Sequence, residues 1–314
     1  MIDPVGKRAI EVALEFGVID ALRESSGRVD GLAQRCGVSV RGLKPLLALL
    51  ASLGLLWENH GEFSWSEEGE QFWREWSQTR LQIPDAPDWQ GLDQAVRTGA
   101  PARPPIEGEE DGGDFFSGVV STLFDLHLPV ARSFAAQLPP LRRVLDLGAG
   151  SGVWSLAVAR ERPEVRVTAV DRRRVLEETT RPFLKKHGVL EQYELRAGSY
   201  HTVELEEGGY DLVYLGHVIH SEGWEASRSL LARARAALRP GGLLAVAEWI
   251  ASEPRSADYH ACLFDLNMLM FTRHGLVFTA REMERLVLEA GFQDPAWVGS
   301  GKYPVLRAEA PSRR

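Results

Sequence analysis

Cysteine is scarce in this chain of 314 residues, and its scarcity excludes two kinds of structure. The sequence has two cysteines, Cys36 and Cys262, which lie in different halves of the chain. Two cysteines so far apart supply neither the disulfide framework of a small secreted domain nor a thiolate metal site. We therefore expect the protein to work in a reducing compartment, the cytoplasm.

An excess of basic charge and long apolar runs are missing as well. The chain has 36 lysines and arginines against 44 aspartates and glutamates, which gives a formal net charge of -8. An acidic protein does not attract polyanions over a long range, so nucleic acid is a disfavoured partner. Charges interrupt residues 1–22 every few positions, so this segment matches neither a signal peptide nor a membrane span. We expect no export and no membrane partner.

The length predicts two domains, and the pattern of the first predicts helices and one hairpin. Apolar residues recur at helical spacing from Val5 to Leu22. Residues 29–38 and 39–56 predict two further helices, the second with Ser39 as its N-cap. The segment WENHGEFSWS then alternates around His-Gly like a small hairpin. Three helices and a hairpin predict a winged-helix domain that is mainly α-helical.

A winged helix raises DNA binding as an alternative, and the third helix argues against it. Leucines cover most of that helix, which leaves little polar surface for base edges. They are Leu43, Leu46, Leu47, Leu49, Leu50 and Leu53. We expect this domain to serve packing or dimerisation, with a DNA-binding regulator as the alternative.

Residues 77–114 are rich in proline and glycine and contain the acidic run EGEEDGGD, a composition that predicts connecting loops with at most one short helix. A helical stretch follows from Phe115 to Leu138, and Pro129 is expected to kink or divide it. We expect the winged-helix-like domain and its connecting loops to comprise residues 1–114, and the second domain residues 115–314.

The second domain has the repeated pattern of an α/β protein. After Leu141, buried strands alternate with glycine turns and helices, which predicts a Rossmann-like parallel sheet with helices on both faces. Thr279 and Glu282 have capping-box spacing at the start of a later helix. The segments AWVGSG and KYPVLRAEA then predict two closing strands joined as a hairpin, at least one of them antiparallel.

A glycine loop in VLDLGAGSG predicts a nucleotide site at the carboxyl edge of this sheet. Its glycines are Gly148, Gly150 and Gly152. Val153 stands where a dinucleotide fingerprint requires glycine or alanine, so NAD is disfavoured. Asp146 beside the loop suits the positive sulfonium of S-adenosylmethionine better than a phosphate. Asp171 ends the next strand, where a carboxylate can accept hydrogen bonds from ribose hydroxyls.

With these motifs, residues from about Ala9 to the end resemble the class I S-adenosylmethionine-dependent small-molecule O-methyltransferases of plants and bacteria. That family couples a winged-helix dimerisation domain to a Rossmann-like catalytic domain. The resemblance implies a homodimer, S-adenosylhomocysteine as a product, and a small-molecule acceptor. It also implies further cofactor contacts, at Arg172, Ser199, Tyr200, Gly216 and His217. Ser199 stands where family members commonly have an aspartate.

Histidines in YDLVYLGHVIHSEGW are candidates for acid–base chemistry, because histidine titrates near neutrality and can take a proton from an attacking hydroxyl. By resemblance, His220 is the general base and Glu248 orients it; a structural histidine and a buried glutamate are the alternatives. Three positions depart from the family. Ser221 and Glu222 replace its Asp-Trp pair, and Val277 replaces its second glutamate.

Asn267 and Met268 are candidates for binding the acceptor, although their helix could equally be plain core. We expect no metal, because His260, Asp265 and His274, considered together with His220, lack tight ligand spacing. The sequence thus predicts methyl transfer to a hydroxyl of a small aromatic or polyketide-like metabolite. Methylation at carbon or nitrogen and a noncatalytic cofactor-binding regulator are the alternatives.

Overall fold

A computed structural model describes residues 2–102, 109–299 and 303–312. It contains two compact units: Met1–Pro105 with Ala251–Ala280, and Ile106–Ile250 with Arg281–Arg314. This division differs from the single boundary expected after residue 114. The reason is the helix Tyr259–Phe271, which contributes Cys262, Leu266, Leu269 and Met270 to the core of the first unit.

The elements follow the order expected from the sequence. The helices are α1 (Pro4–Glu15), α2 (Val18–Glu24), α3 (Val29–Cys36), α4 (Val40–Ser52), α5 (Glu67–Thr79), α6 (Leu92–Thr98), α7 (Glu109–Ala135), α8 (Val153–Glu161), α9 (Arg173–Val175, a π turn at Leu176–Thr180, and Arg181–Lys186), α10 (Ile219–Ala237), α11 (Tyr259–Phe271) and α12 (Ala280–Glu289). The strands are β1 (Gly27–Arg28), β2 (Leu56–Asn59), β3 (Glu62–Trp65), β4 (Arg143–Leu147), β5 (Arg166–Asp171), β6 (Tyr193–Ala197), β7 (Tyr210–Gly216), β8 (Leu238–Ala247), β9 (Gln293–Val298) and β10 (Val305–Glu309).

The first unit confirms the predicted hairpin and the helices predicted at residues 29–38 and 39–56. The helix predicted from Val5 to Leu22 is instead two helices, α1 and α2, which are separated at Gly17, where the backbone is left-handed. Strands β2 and β3 pair antiparallel, and β1 pairs with β3, in the order β1-β3-β2. Ser39 caps α4 as expected, because its Oγ accepts a hydrogen bond from Gly42 N–H at 2.9 Å. The leucine-rich face of α4 is buried, including Leu43, Leu46 and Leu47. The apolar surface of this helix therefore packs within the unit.

Polar contacts join α4 to α11 within the first unit. The Arg41 guanidinium donates to the backbone oxygens of Thr272 at 3.0 Å and Gly275 at 3.4 Å. It also reaches the Met268 oxygen at 3.5 Å. One arginine thus bonds to carbonyl oxygens at and just beyond the C-terminal end of α11, where helix carbonyls run out of partners inside the helix.

The segment predicted as connecting loops contains more helix than expected. Helix α6 is the expected short helix, but α7 begins at Glu109, inside the acidic run, and not at Phe115. Acidic residues near a helix N-terminus are favoured by the helix dipole, an effect that the loop prediction omitted. Pro129 lies within α7 and does not divide it. Residues 103–108 lie outside the described ranges.

The second unit has a seven-stranded sheet in the order β6-β5-β4-β7-β8-β10-β9. Strands β4 to β8 are parallel to one another. Strand β10 is antiparallel to both β8 and β9, which confirms the predicted closing hairpin. The chain order reverses between β4 and β7. Open α/β sheets bind ligands at such a switch point, outside the carboxyl ends of the strands.

No helix within the described ranges combines the length and the apolar character that a membrane span needs.

Candidate active site

The glycine loop follows β4 and is held against β5. The N–H groups of Gly148 and Ala149 both donate to the Val170 oxygen, at 2.9 and 3.2 Å. Gly148, Gly150 and Gly152 have φ values of 74°, 54° and 71°. A Cβ at Gly148 would also lie 2.6 Å from Val218 Cγ2. Glycine is therefore required at Gly148 both by its left-handed backbone and by its close neighbour.

Asp171 fastens this loop, a role that the sequence did not indicate. Its carboxylate accepts hydrogen bonds from Gly150 N–H at 2.8 Å and from Arg172 N–H at 2.7 Å. Burial raises the pKa of Asp171, and these two bonds act in the opposite direction. The carboxylate lies at the end of β5, where the ribose of an adenosyl group was expected, and the ribose contact stays a prediction.

Asp146 lies beneath the loop in a fully packed environment. Its side chain is 1% exposed and accepts a hydrogen bond from the Ser155 hydroxyl. Tyr193 in turn donates to Ser155 Oγ at 3.0 Å. Burial raises the pKa of Asp146 to about 7, although the bond from Ser155 counteracts the rise. A neighbouring cation would therefore change the charge of this carboxyl group near neutral pH.

His220 and Glu248 are brought together as expected. His220 Nδ1 lies 2.8 Å from Glu248 Oε2, and His220 N–H donates to Glu248 Oε1 at 3.3 Å. Glu248 is the residue directly after β8, and it is 1% exposed. Burial alone would raise the pKa of Glu248, but the contacts with His220 and the nearby His217 lower it. The pair therefore contains an ionised carboxylate that is bonded to an imidazole.

His217 stacks on a histidine that the sequence analysis missed. The rings of His127 and His217 are 4.3 Å apart at 13°. Burial lowers the pKa of His217 to about 3 and that of His127 to about 4, so both rings are neutral. Within the described residues, neither Nε2 has a hydrogen-bond partner. His127 was missed because a lone histidine in a helical stretch gives no sequence signal.

Gly216 makes room for an aromatic side chain. A Cβ at this position would lie 2.4 Å from Cδ1 of Trp154, which is 3% exposed. Trp154 begins the helix after the glycine loop, so Gly216 lets β7 and α8 approach closely. The predicted cofactor contact of Gly216 stays a prediction, and the packing of Trp154 explains the glycine itself.

Tyr200 borders the glycine loop and is held by Glu222. Its ring carbons lie 3.8 Å from the position of a Cβ at Gly148, and its hydroxyl donates to Glu222 at 2.6 Å. His201 Nε2 lies 2.8 Å from the other oxygen of Glu222. Ser199 is exposed, and its Oγ accepts from His201 N–H at 3.2 Å. Glu222, which departs from the family pattern, thus orients the tyrosine.

The candidate acceptor-binding residues lie on α11 in the first unit. Met268 is buried, at 5% exposure, and Asn267 is half-buried. Val277 is fully buried, and its N–H donates to Asp265 Oδ1 at 2.7 Å. Asp265 thus has a structural partner. The contact of Asn267 and Met268 with an acceptor stays a prediction.

Among the described residues, one group has metal-ligand geometry, and it shares only His220 with the group considered from the sequence. His217, His220 and Glu248 each offer a ligand atom, and these atoms lie within 4.8 Å of one another. His260, Asp265 and His274 are not part of such a group in the described ranges. The sequence feature that could have indicated this group is the pair His217 and His220, which are three residues apart at the end of a strand.

Comparison with known proteins identifies the family. A model described as an O-methyltransferase domain matches residues 121–293, and one described as an O-methyltransferase dimerisation domain matches residues 6–81. The chain is 26% identical to the 3-hydroxy-5-methyl-1-naphthoate 3-O-methyltransferase of Streptomyces sahachiroi, over 90% of this chain and 85% of the relative. It is 27% identical to the tetracenomycin polyketide synthesis 8-O-methyl transferase TcmO of Streptomyces glaucescens, over 92% and 88%.

A solved structure supports the fold. The O-methyltransferase family 2 protein of Planctomyces limnophilus, in complex with apigenin, superposes with a TM-score of 0.76 at 22% identity, over 97% of this chain and 91% of that one. The chain belongs to the O-methyltransferase family and contains its dimerisation domain. It is an S-adenosylmethionine-dependent enzyme that methylates a hydroxyl group of a small molecule.

Proposed function

We propose that the acceptor is a small aromatic or polyketide-like metabolite and that His220 is the general base. The observation that carries the base assignment is the 2.8 Å contact between His220 Nδ1 and the buried Glu248. The acceptor class is supported by the relatives, whose names specify a naphthoate and the tetracenomycin polyketide. Methylation at carbon or nitrogen has no comparable support.

Glu248 orients the base in this proposal. Its ionised carboxylate accepts a hydrogen bond from the Nδ1–H group of His220, which leaves the lone pair of the ring on Nε2. Nε2 then takes the proton of the acceptor hydroxyl as its oxygen bonds to the methyl carbon and the carbon–sulfur bond breaks. General-base catalysis of this kind contributes roughly 10²–10⁴ to a rate.

The chain has residues that fit S-adenosylmethionine, which supplies the electrophilic methyl group when bound. The left-handed glycine loop lets the ligand approach the backbone closely, and the buried carboxyl group of Asp146 lies beneath that loop. Asp171 at the end of β5 and Tyr200 at the end of β6 border the same edge. We assign Asp171 to the ribose hydroxyls, and Arg172 and Ser199 to the surrounding contacts.

We further propose that the protein is a cytoplasmic homodimer. The match to a dimerisation domain over residues 6–81 supports self-association, and the two cysteines, one of them buried, fit a reducing compartment.

Methyl transfer to a panel of phenolic and polyketide acceptors tests the proposal. We expect His220→Ala to lower kcat by roughly 10²-fold or more, because the proton acceptor is removed. The control is His60→Asn, which replaces an exposed histidine of the first-unit hairpin. A rate in His220→Ala within a few fold of the wild type would contradict the assignment of the base.

A further inference from the structure

Two histidines lie close to one carboxylate oxygen of Glu248, and the three groups together offer three potential metal ligands. Oε2 lies 2.8 Å from His220 Nδ1 and 3.8 Å from His217 Nδ1. The second distance is too long for a hydrogen bond. Metal bonds of about 2.0–2.2 Å to imidazole nitrogen and carboxylate oxygen place ligand atoms roughly 3–4 Å apart. The contact with His220 is thus a hydrogen bond, whereas the spacing between Oε2 and His217 Nδ1 is that of two neighbouring ligands of one metal ion.

The chemistry of the three groups suits one class of ion. Two imidazoles and one carboxylate are the ligands of divalent transition metals such as Zn²⁺, whereas Mg²⁺ and Ca²⁺ prefer sets made of oxygen alone. Glu248 is 1% exposed, so its negative charge is poorly solvated and attracts a cation. The site also leaves open positions for water or an acceptor oxygen.

His217 is held in place by contacts with other residues of the protein. The His217 backbone is left-handed, with φ of 57°, and its N–H donates to the Ala247 oxygen at 2.8 Å. Its ring stacks on His127 and meets the ring of Tyr303 edge-on at 6.1 Å. These contacts restrict the rotation of His217, so little ordering entropy is lost when it coordinates an ion.

We propose that His217, His220 and Glu248 bind a divalent transition-metal ion of the Zn²⁺ class, and that this ion reversibly inhibits methyl transfer. The inhibitory part rests on the proposed function of His220. A metal on Nδ1 of a neutral imidazole leaves the ring proton on Nε2. Nε2 then has no lone pair for the hydroxyl proton, and Glu248 can no longer orient the ring. No oxidation or group transfer is involved.

Calorimetric titration of the full, chelator-treated chain with Zn²⁺ alone tests the site. We expect one tight site per wild-type chain, and at least tenfold weaker binding in His217→Asn. Asparagine tolerates a left-handed backbone, so this variant should keep the fold, which circular dichroism verifies. His60→Asn is the matched control, because His60 is also left-handed, with φ of 48°, but is exposed. It should bind Zn²⁺ like the wild type.

Titration with Co²⁺ adds a readout that does not depend on activity. We expect a visible absorption spectrum with nitrogen and oxygen ligation in the wild type and in His60→Asn, and its loss in His217→Asn. A folded wild type without stoichiometric Zn²⁺ binding would overturn the proposal. Equal Zn²⁺ affinity in wild type and His217→Asn would overturn it as well.

Inhibition is measured against the metal-free rate of each variant. We expect Zn²⁺ to abolish methyl transfer by the wild type at the concentration at which it binds, and EDTA to restore the rate. The inhibitory concentration should rise at least tenfold in His217→Asn. An enzyme that is active in EDTA but insensitive to bound Zn²⁺ would overturn the inhibition and leave the proposed function intact.

Discussion

Asp146 shows how a single residue can have a structural and an electrostatic role. The sequence predicted that Asp146 is a carboxylate beside the glycine loop and that it suits a cationic ligand. The structure adds that it is buried beneath the loop, bonded to Ser155, and that burial raises its pKa to about 7. The burial could not be deduced from the motif alone, because it depends on how α8 packs against β4.

The raised pKa makes cofactor affinity depend on pH. The sulfonium favours the ionised carboxyl group, so binding of S-adenosylmethionine should lower the pKa of Asp146 and release a proton. Affinity should therefore increase as the pH rises through about 7 and then level off. Calorimetry at several pH values measures this, and buffers of different ionisation enthalpy count the proton.

Asp146→Asn is the matched variant for this prediction. It keeps the shape of the side chain and removes its charge, so cofactor binding should be weaker and the pH dependence should be lost. In the free wild type, the folded chain retains a proton between the ordinary pKa of 3.8 and about 7. The Asp146 contribution to stability therefore falls as the pH rises through that range. If the affinity of Asp146→Asn for S-adenosylmethionine depends on pH in the same way as that of the wild type, Asp146 is not the group that causes this dependence.

The elements of both units were largely predictable from the sequence, because they follow strong periodic signals. The glycine loop, the strands before and after it, and the closing hairpin lie where the pattern of glycines and apolar runs placed them. The start of α7 was not predicted, since its acidic run resembles a loop in composition. The packing of α11 against α4 within one compact unit was not predicted, because it is a long-range contact.

Packing between elements of the first unit gives a specific test at Gly42. A Cβ at Gly42 of α4 would lie 2.3 Å from the Val96 oxygen of α6. Because the obstructing atom is backbone, Gly42→Ala should lower the free energy of unfolding by about 1–3 kcal/mol. Gly31→Ala in α3, where a Cβ meets no atom within 4 Å, should raise it by roughly 0.5–1 kcal/mol. Chemical denaturation measures both, and equal effects of the two substitutions would contradict this packing.

At the scale of the whole molecule, some residues of the site could be predicted from the sequence and others could not. His220, Glu248 and Asp171 could be proposed from strand ends and the family resemblance. His127, Trp154 and the bond between Glu222 and Tyr200 could not, because they come from segments far apart in the chain that carry no motif.

The proposed homodimer predicts a molar mass near twice that of the 34.9 kDa chain in light scattering. Trp57 and Leu81 of the first unit are 58% and 79% exposed, so they are candidates for contact with a second copy. Trp57→Glu with Leu81→Glu should shift the mass toward the monomer. Leu288→Glu is the control, because Leu288 is 50% exposed in the second unit. A wild-type mass of one chain at micromolar concentration would contradict the dimer.

Calorimetric titration with S-adenosylmethionine tests the central claim most directly, namely a cofactor site that is separate from the catalytic base. We predict that the wild type and His220→Ala bind with similar affinity, and that Asp171→Ala loses binding, because both the ribose contact and the hydrogen bond to Gly150 are removed. Absence of binding to the folded wild type would contradict the account, as would loss of binding in His220→Ala with retention in Asp171→Ala.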